Sequence, residues 1–324
     1  MPEVIVSENV VGQALDHLKQ QFEVVFEPNL WKRLGQLRAE LADAKALIVR
    51  NQTQVTAELI AAAPHLQVIG RAGAGLDNVD TEAASSAGVV VTYTPDENSI
   101  SVAELTLGLM LGLSRKLVAA DADTRGGGWN RRQFTGCELF GKTLGIVGIG
   151  RIGTLVAERA KAFGMHLVAH DEYIDPDAPQ LRELEVRLLC LEELLGESDY
   201  VSCHTPLTDE THEMFDYSRF CQMKPSAVFI NASRGEVVSE GGLIRALQEE
   251  RISGAALDVR NAEPPQASPL DEMTNLILTP HIGAFTREAQ ERVVTAVCRD
   301  VAAVLSGESA ENHYNFARPR RERA

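Results

Sequence analysis

The twelve residues Lys142-Thr-Leu-Gly-Ile-Val-Gly-Ile-Gly-Arg-Ile-Gly153 constrain the fold of this chain more than any others. An apolar run of strand length passes directly into Gly148-x-Gly150-x-x-Gly153, and Ile152, Leu155, Val156, Ala160 and Phe163 then fall on one face of a helix. Strand, glycine turn and helix in that order begin a unit that binds a dinucleotide. Gly148 permits the tight turn, Gly150 lets backbone approach a pyrophosphate, and Gly153 lets helix and strand pack closely. The free N–H groups of the helix start attract phosphate. Asp171 closes the next apolar run, about twenty residues on, where an acid binds both ribose hydroxyls. It would repel a 2′-phosphate, and His170 to Ile174 offers no Lys or Arg to receive one, so the cofactor expected is NAD rather than NADP.

The same rhythm runs through the chain. Short apolar runs at Val4–Val6, Ala46–Val49, Val68–Ile69 and Val89–Val91 alternate with helical periods at Leu34–Leu41 and Thr56–Ala63. It resumes with Leu144–Val147, Leu167–Ala169, Tyr200–Cys203, Val228–Ile230, Ala255–Val259 and Leu276–Leu278. This is βαβ patterning, and it predicts α/β architecture with two doubly wound parallel-sheet domains. A length of 324 residues suits two domains. From about Ser101 to Arg115 a helix with two apolar faces suits a connector between them. The stretch Gly126-Gly-Gly-Trp129, running on to Gly141, reads as an irregular arm. Arg287–Leu305 predicts a final helix that returns to the N-terminal domain, and Arg318–Ala324 a frayed tail.

A net charge of -15 argues against nucleic acid as a partner, because phosphate backbones are held by clustered Lys and Arg. No apolar run is long enough to span a bilayer, and Met1–Val10 lacks the pattern of a secretory signal, so the expected location is the cytoplasm. The five cysteines are scattered without a C-x-x-C pair, which predicts neither a disulfide framework nor a metal site. Cys203 reads as a small buried hydrophobe rather than a nucleophile.

Three residues follow apolar runs and would emerge at the same carboxyl edge as the glycine turn: Arg234, Glu263 and His281. Hydride transfer at a 2-oxo acid needs a proton donor for the forming alkoxide, a fork for the carboxylate and a partner for the donor. An imidazole such as His281 moves a proton at neutral pH, and a carboxylate such as Glu263 beside it favours the imidazolium. Arg234 offers a planar, permanent charge for bidentate carboxylate binding. From these residues alone, a structural histidine beside an ordinary ion pair is an equal reading.

Together with Arg71-Ala-Gly-Ala-Gly-Leu-Asp-Asn-Val-Asp80, Asn98-Ser-Ile-Ser-Val-Ala-Glu104, Asn231-Ala-Ser-Arg-Gly-Glu236 and Thr279-Pro-His-Ile-Gly283, these motifs make nearly the whole chain resemble the D-isomer-specific 2-hydroxyacid dehydrogenases. The nearest resemblance is to the D-3-phosphoglycerate dehydrogenase branch, in a short form without regulatory domains. It is carried by Ile48-Val-Arg-Asn51, the Arg71 loop, the Trp129 arm and Glu288-Ala-Gln290. The resemblance implies a Rossmann NAD domain (101–285) inserted in a flavodoxin-like substrate domain (1–100 and 286–324), and a homodimer held by a helix and arm of the NAD domain. It puts Arg234, Glu263 and His281 on the catalytic positions. Gly148, Gly150, Arg151, Ile152, Gly153, Asp171, Thr205, Pro206, Thr211, Ala232, Ser233, Asp258, Gly283 and Ala284 fall on cofactor positions. Ala74, Gly75 and Asn98 match the substrate site, while Arg50 and Arg71 match side chains that meet a phosphate.

That branch implies 3-phosphoglycerate and 3-phosphohydroxypyruvate as the substrate pair. Three departures bear on it: Phe285 stands where Ser is usual, Asp96-Glu97 precedes Asn98, and Arg260 stands where an aromatic residue is common. A bulkier, differently charged pocket would suit another anionic acid, such as sulfolactate or glycerate and glyoxylate. A dinucleotide-sensing corepressor shares the fold but has long tails not apparent here, and formate dehydrogenases resemble the chain less because they carry Gln at the position of Glu263.

Overall fold

Short, fully apolar strands separated by helix-length segments are buried on both faces and return in parallel rather than as hairpins. The computed structural model, which describes residues 2–320, follows this pattern in its central strands, and each of its strands pairs in parallel. Its chain divides into two compact units, Met1–Asn98 with Phe285–Ala324, and Ser99–Ala284.

The first unit begins with β1 (Val4–Val6), α1 (Gln13–Gln21), β2 (Val24–Phe26), α2 (Leu34–Leu41), β3 (Ala46–Val49), α3 (Ala57–Ala61), β4 (Val68–Arg71), α4 (Thr81–Ser86) and β5 (Val90–Thr92). Its five strands lie in the order β2-β1-β3-β4-β5, all parallel. The short helices begin where their sequences offer caps: Thr56 accepts from Leu59 N and Asp80 from Ala83 N. Leu37, Leu41, Leu59 and Ile60 cover one sheet face, packing on Ile5, Leu47 and Ile69.

The second unit contains α5 (Ser99–Ser114), α6 (Leu117–Arg125), β6 (Thr143–Val147), α7 (Arg151–Ala162), β7 (His166–His170), α8 (Pro179–Glu183) and β8 (Arg187–Leu188). It continues with α9 (Leu191–Glu197), β9 (Tyr200–Cys203), α10 (Tyr217–Phe220), β10 (Val228–Asn231), α11 (Glu240–Gln248), β11 (Gly254–Leu257) and β12 (Leu276–Leu278). Seven parallel strands run β12-β11-β10-β9-β6-β7-β8, so the order reverses at β6, the arrangement of a dinucleotide-binding sheet. The apolar helix α5 is part of this unit, packed on α7 and on β10, β11 and β12. Phe215, Phe220 and Phe229 form a fully buried aromatic cluster on the other face.

The last helix, α12 (Arg287–Leu305), returns to the first unit as the sequence predicts. Val293, Val297, Val301 and Val304 cover the second face of that sheet over Val4, Val6, Ile48 and Val68. The chain then runs along the free edge of β5. Tyr314 N donates to Val91 O at 2.8 Å, and Asn315 accepts from Val91 N at 3.1 Å while donating to Val89 O at 2.9 Å. Buried Asp300 receives the amides of Glu311 and Asn312 at the start of this strap. The tail expected to fray from Arg318 is instead tied down through Arg320: Arg318 Nε donates to Ser309 Oγ and Arg320 N to Gly88 O. Residues 321–324, the rest of that segment, lie outside the described residues.

Candidate active site

β6 delivers the glycine turn directly. Gly148 has φ 89°, a backbone that disfavours any side chain, and a Cβ there would also meet the His204 carbonyl at 2.9 Å. At Gly153 a Cβ would lie 2.2 Å from Gly148 O, so the first turn of α7 sits against the loop only because Gly153 has none. Around Gly150, the cap of α7, nothing lies within 4 Å of a Cβ position. Two positions are thus filled by packing, and the third is open where a pyrophosphate needs access to Arg151 and Ile152 at the helix start. Asp171 follows β7, with Oδ2 accepting from Ile149 N and Oδ1 from Tyr173 N, each at 2.9 Å. Those two bonds hold a carboxylate beside the turn, and the donor set fits a dinucleotide whose ribose meets an acid.

Arg234, Glu263 and His281 come from the loops after β10, β11 and β12, three adjacent strands. Glu263 Oε2 and His281 Nδ1 are 2.6 Å apart. Burial raises the Glu263 carboxyl, but the hydrogen bond to His281, the imidazole's charge, the Arg260 amide and the nearby Arg234 guanidinium outweigh it and hold the group below the usual carboxylate value. Arg234 is half-buried; its Nη1 donates to Ser233 O at 2.8 Å, and its own carbonyl accepts from Asn231 Nδ2 at 2.7 Å. His281 has φ 53°, a left-handed backbone uncommon for a side-chain-bearing residue. Asp258 sustains it. This carboxylate, 1% exposed, accepts from Thr279 Oγ1 at 2.5 Å, Ile282 N at 2.9 Å and Gly283 N at 2.8 Å. Asp258, expected at the cofactor, thus anchors the loop that carries His281.

The other expected cofactor residues also sit past the carboxyl ends of their strands. Thr205, Pro206 and Thr211 follow β9, and Thr211 Oγ1 closes their loop on Pro206 O at 2.7 Å. Ala232 and Ser233 follow β10, with Ser233 Oγ on Asn231 Oδ1, while Gly283 and Ala284 end the unit. Cys203 is buried, and burial raises its thiol away from a reactive thiolate. Arg260 does not lend the site the differing charge expected of it. It is 8% exposed and donates to Glu240, Ser268 and Asp271, so its charge is met within the unit.

In the first unit, Arg50 follows β3 and Arg71 ends β4. Arg50 donates to Gln290 Oε1 at 2.6 Å and Asn9 O at 3.3 Å, and its guanidinium lies 5.1 Å from the centre of the Phe285 ring. Burial lowers its pKa despite nearby Glu8, which means the charge is held in a poorly solvated place. The guanidinium of Arg71 folds back against Gly73, just before Ala74 and Gly75, where a Cβ would fall 1.6 Å from Arg71 Nη1. Asn98 ends this part of the unit, with Oδ1 shielded from water and without a donor among the described residues. Two residues that the sequence did not mark organise the Arg50 loop. Buried Glu8 accepts the amides of Arg50, Gln52 and Thr53, and Asn78 Nδ2 donates to the carbonyls of Arg50 and Thr53. Glu8 stands in no local motif, and Asn78, although it lies within the Arg71–Asp80 motif, shows this role only through its contacts across the fold.

Comparison with known proteins agrees with this geometry. Residues 107–283 match the family model described as D-isomer specific 2-hydroxyacid dehydrogenase, NAD binding domain. The chain is 42% identical over 98% of its length to D-3-phosphoglycerate dehydrogenase of Methanocaldococcus jannaschii, and 46% identical over 89% to that of Rattus norvegicus. It spans 60% and 53% of the lengths of those two relatives. A solved structure from Thermus thermophilus superposes with a TM-score of 0.90 at 38% identity, covering 96% of this chain and 99% of that one. A D-lactate dehydrogenase from Aquifex aeolicus, complexed with NAD and lactic acid, superposes with 0.86 at 28% identity, covering 96% and 98%. The glycine turn, the Asp171 carboxylate beside it and the Arg234, Glu263 and His281 trio thus occur in a chain that belongs to the D-isomer specific 2-hydroxyacid dehydrogenase family.

Proposed function

We propose that this chain is an NAD-dependent dehydrogenase of D-2-hydroxy acids and that 3-phosphoglycerate and 3-phosphohydroxypyruvate are its substrate pair. The observation that carries the reading is the 2.6 Å Glu263–His281 pair beside Arg234, on the same sheet edge as the glycine turn. Bound along that turn, NAD supplies the carrier for the hydride exchanged with C2. Glu263, kept ionised, fixes the imidazole through Nδ1 and leaves Nε2 of His281 to give a proton to the forming alkoxide, or to take one from the hydroxyl in the reverse direction. Arg234 grips the carboxylate and polarises the 2-oxo group. In the first unit the resemblance assigns the backbone amides of Ala74 and Gly75, with Asn98, to a substrate carboxylate, and Arg50 and Arg71 to a second anion.

The relatives named D-3-phosphoglycerate dehydrogenase favour a phosphate there, whereas Phe285 stacked on Arg50 favours a different anionic acid, such as sulfolactate or glycerate. NADH oxidation against 3-phosphohydroxypyruvate, 3-sulfopyruvate, hydroxypyruvate, glyoxylate and oxaloacetate decides between them. Preference for the phosphate supports the proposal, preference for another acid overturns the substrate, and silence across the panel favours a sensor. In the same assay Arg71→Ala is expected to raise KM for a doubly anionic acid at least about tenfold more than for a monocarboxylate, since only the second anion loses a partner.

A second copy of the chain is the expected partner. Leu117, Val118, Trp129 and Phe140, on α6 and the irregular arm, are each more than half exposed, and apolar side chains concentrated in one segment are suited to burial by a protomer. Cys137, Cys190 and Cys221 are exposed free thiols, which suits the reducing cytoplasm, and no helix among the described residues is long and apolar enough to cross a membrane.

A further inference from the structure

In the second unit β6 lies between β7 and β9, so the loops after those two strands flank the glycine turn from opposite sides. This is also where the strand order reverses, the crevice in which such a sheet takes its ligand. One side-chain hydrogen bond crosses that mouth. Tyr173 Oη, on the loop after β7, donates to Glu210 Oε2, on the loop after β9, at 2.8 Å. Both ends are anchored. Tyr173 N is held by Asp171, whose other oxygen holds Ile149 of the glycine turn. Glu210 lies in the turn closed by Thr208 N on Thr211 Oγ1 at 2.8 Å.

Tyr173 itself is 84% exposed, so packing does not keep it there; the anchored backbone and one hydrogen bond do. The hydrogen bond to Glu210 and the charges of Glu210, Glu172 and Asp171 raise the phenol above its usual range, which places three carboxylates around it. Neither His170–Ile174 nor Thr205–Thr211 contains a Lys or Arg to offset them. The bridge therefore adjoins the ribose acid and adds negative charge on the far side of the same groove.

We propose that Tyr173 and Glu210 form a latch across the adenosine half of the cofactor groove, opening to admit and release the dinucleotide, and that Glu210 is a second determinant, beside Asp171, of NAD over NADP. A bridge of one solvent-exposed hydrogen bond opens readily, as a gate on cofactor exchange must. A carboxylate across the groove opposes a 2′-phosphate without touching NAD itself. The inference rests on the cofactor part of the proposed function and not on the choice of substrate.

Two variants separate bridge from charge. Glu210→Gln keeps an acceptor for the phenol and removes the charge, whereas Tyr173→Phe keeps the charge and removes the bridge. NADH and NADPH binding to the full chain are read from nicotinamide fluorescence, and NADH release by stopped flow, all without substrate. In Glu210→Gln the ratio of the NADPH Kd to the NADH Kd is expected to fall about fivefold, the size of one screened charge acting on a phosphate across the groove. In Tyr173→Phe NADH is expected to leave about fivefold faster, as for the loss of one ordinary hydrogen bond, with the ratio unchanged. An unchanged ratio in Glu210→Gln overturns the discrimination, and an unchanged release rate in Tyr173→Phe overturns the latch. Rejection of 3-phosphohydroxypyruvate by the enzyme leaves both readouts standing, whereas failure of NADH to bind the wild-type chain overturns the latch together with the cofactor reading.

Discussion

His281 reaches its position on a left-handed backbone that Asp258 holds from below through three donors. Strain of this kind persists where the surroundings over-determine it. Replacing His281 by Ala is expected to lower turnover at least about a thousandfold while leaving the NADH Kd within about twofold, because in the proposed reaction the imidazole moves a proton and does not hold the cofactor. Equal losses of binding and turnover would instead make it structural. His204 gives a second test. Its Nε2 pairs with Ser202 Oγ at 2.8 Å, and its Nδ1 is shielded with no partner among the described residues. Burial pushes it down to about 4 from the ordinary 6.5. An unfolded imidazole takes its proton near 6.5 while the folded one waits until about 4. The stability this neutral group permits is therefore complete above 6.5 and is lost as pH falls toward 4, by up to roughly 3 kcal/mol. Urea denaturation at pH 7.5 and pH 5 is expected to show a larger acid loss for the wild type than for His204→Asn. At this scale Arg234, Glu263 and His281 were legible because each follows a strand whose direction the apolar runs fix. Arg260 was not, since Glu240 and Asp271, which neutralise it, lie 20 and 11 residues away in sequence.

Among the elements, buried strands and long helices declared themselves, as did the edge strands β5 and β12, while the edge strands β2 and β8 did not. β8 is two residues long with an exposed arginine, so it lacks the continuous apolar run of a central strand, whereas β2 (Val24–Phe26) carries a run of only three residues between Glu23 and Glu27 and is half-buried. The return of α12 could be read from its apolar spacing, but the strap beyond it could not. It is fixed by Asn315, Asp300 and backbone amides rather than by any hydrophobic period. A capped edge is protected from pairing with another chain. Asn315→Ala strips the Val91 amide of its acceptor and Val89 O of its donor, and is expected to cost about 2 kcal/mol in urea denaturation with no change in the denaturant slope. A cost below about 0.5 kcal/mol would mean that water replaces those bonds freely.

For the whole molecule, the parallel α/β class followed from alternating patterns, whereas strand order did not, because an apolar run specifies burial and not its neighbour. The exposed apolar side chains of α6 and the arm make the oligomeric state testable at this scale. Leu117→Asp combined with Val118→Asp is expected to shift the mass measured by light scattering from two chains to one while the far-ultraviolet circular dichroism is kept; a monomeric wild type would remove the homodimer. The discontinuous first unit has a further consequence, in time rather than in space. Val4, Val6, Ile48 and Val68 are made early, but the helix that covers them ends at Leu305, after the whole of the second unit. At ordinary rates of synthesis, about 5 to 20 residues per second, that apolar face waits ~10 to 40 seconds for its cover. The stretch of synthesis between Asn98 and Leu305 is therefore when a newborn chain is most exposed to association with its neighbours, and when a chaperone that shields apolar sheet has most to do.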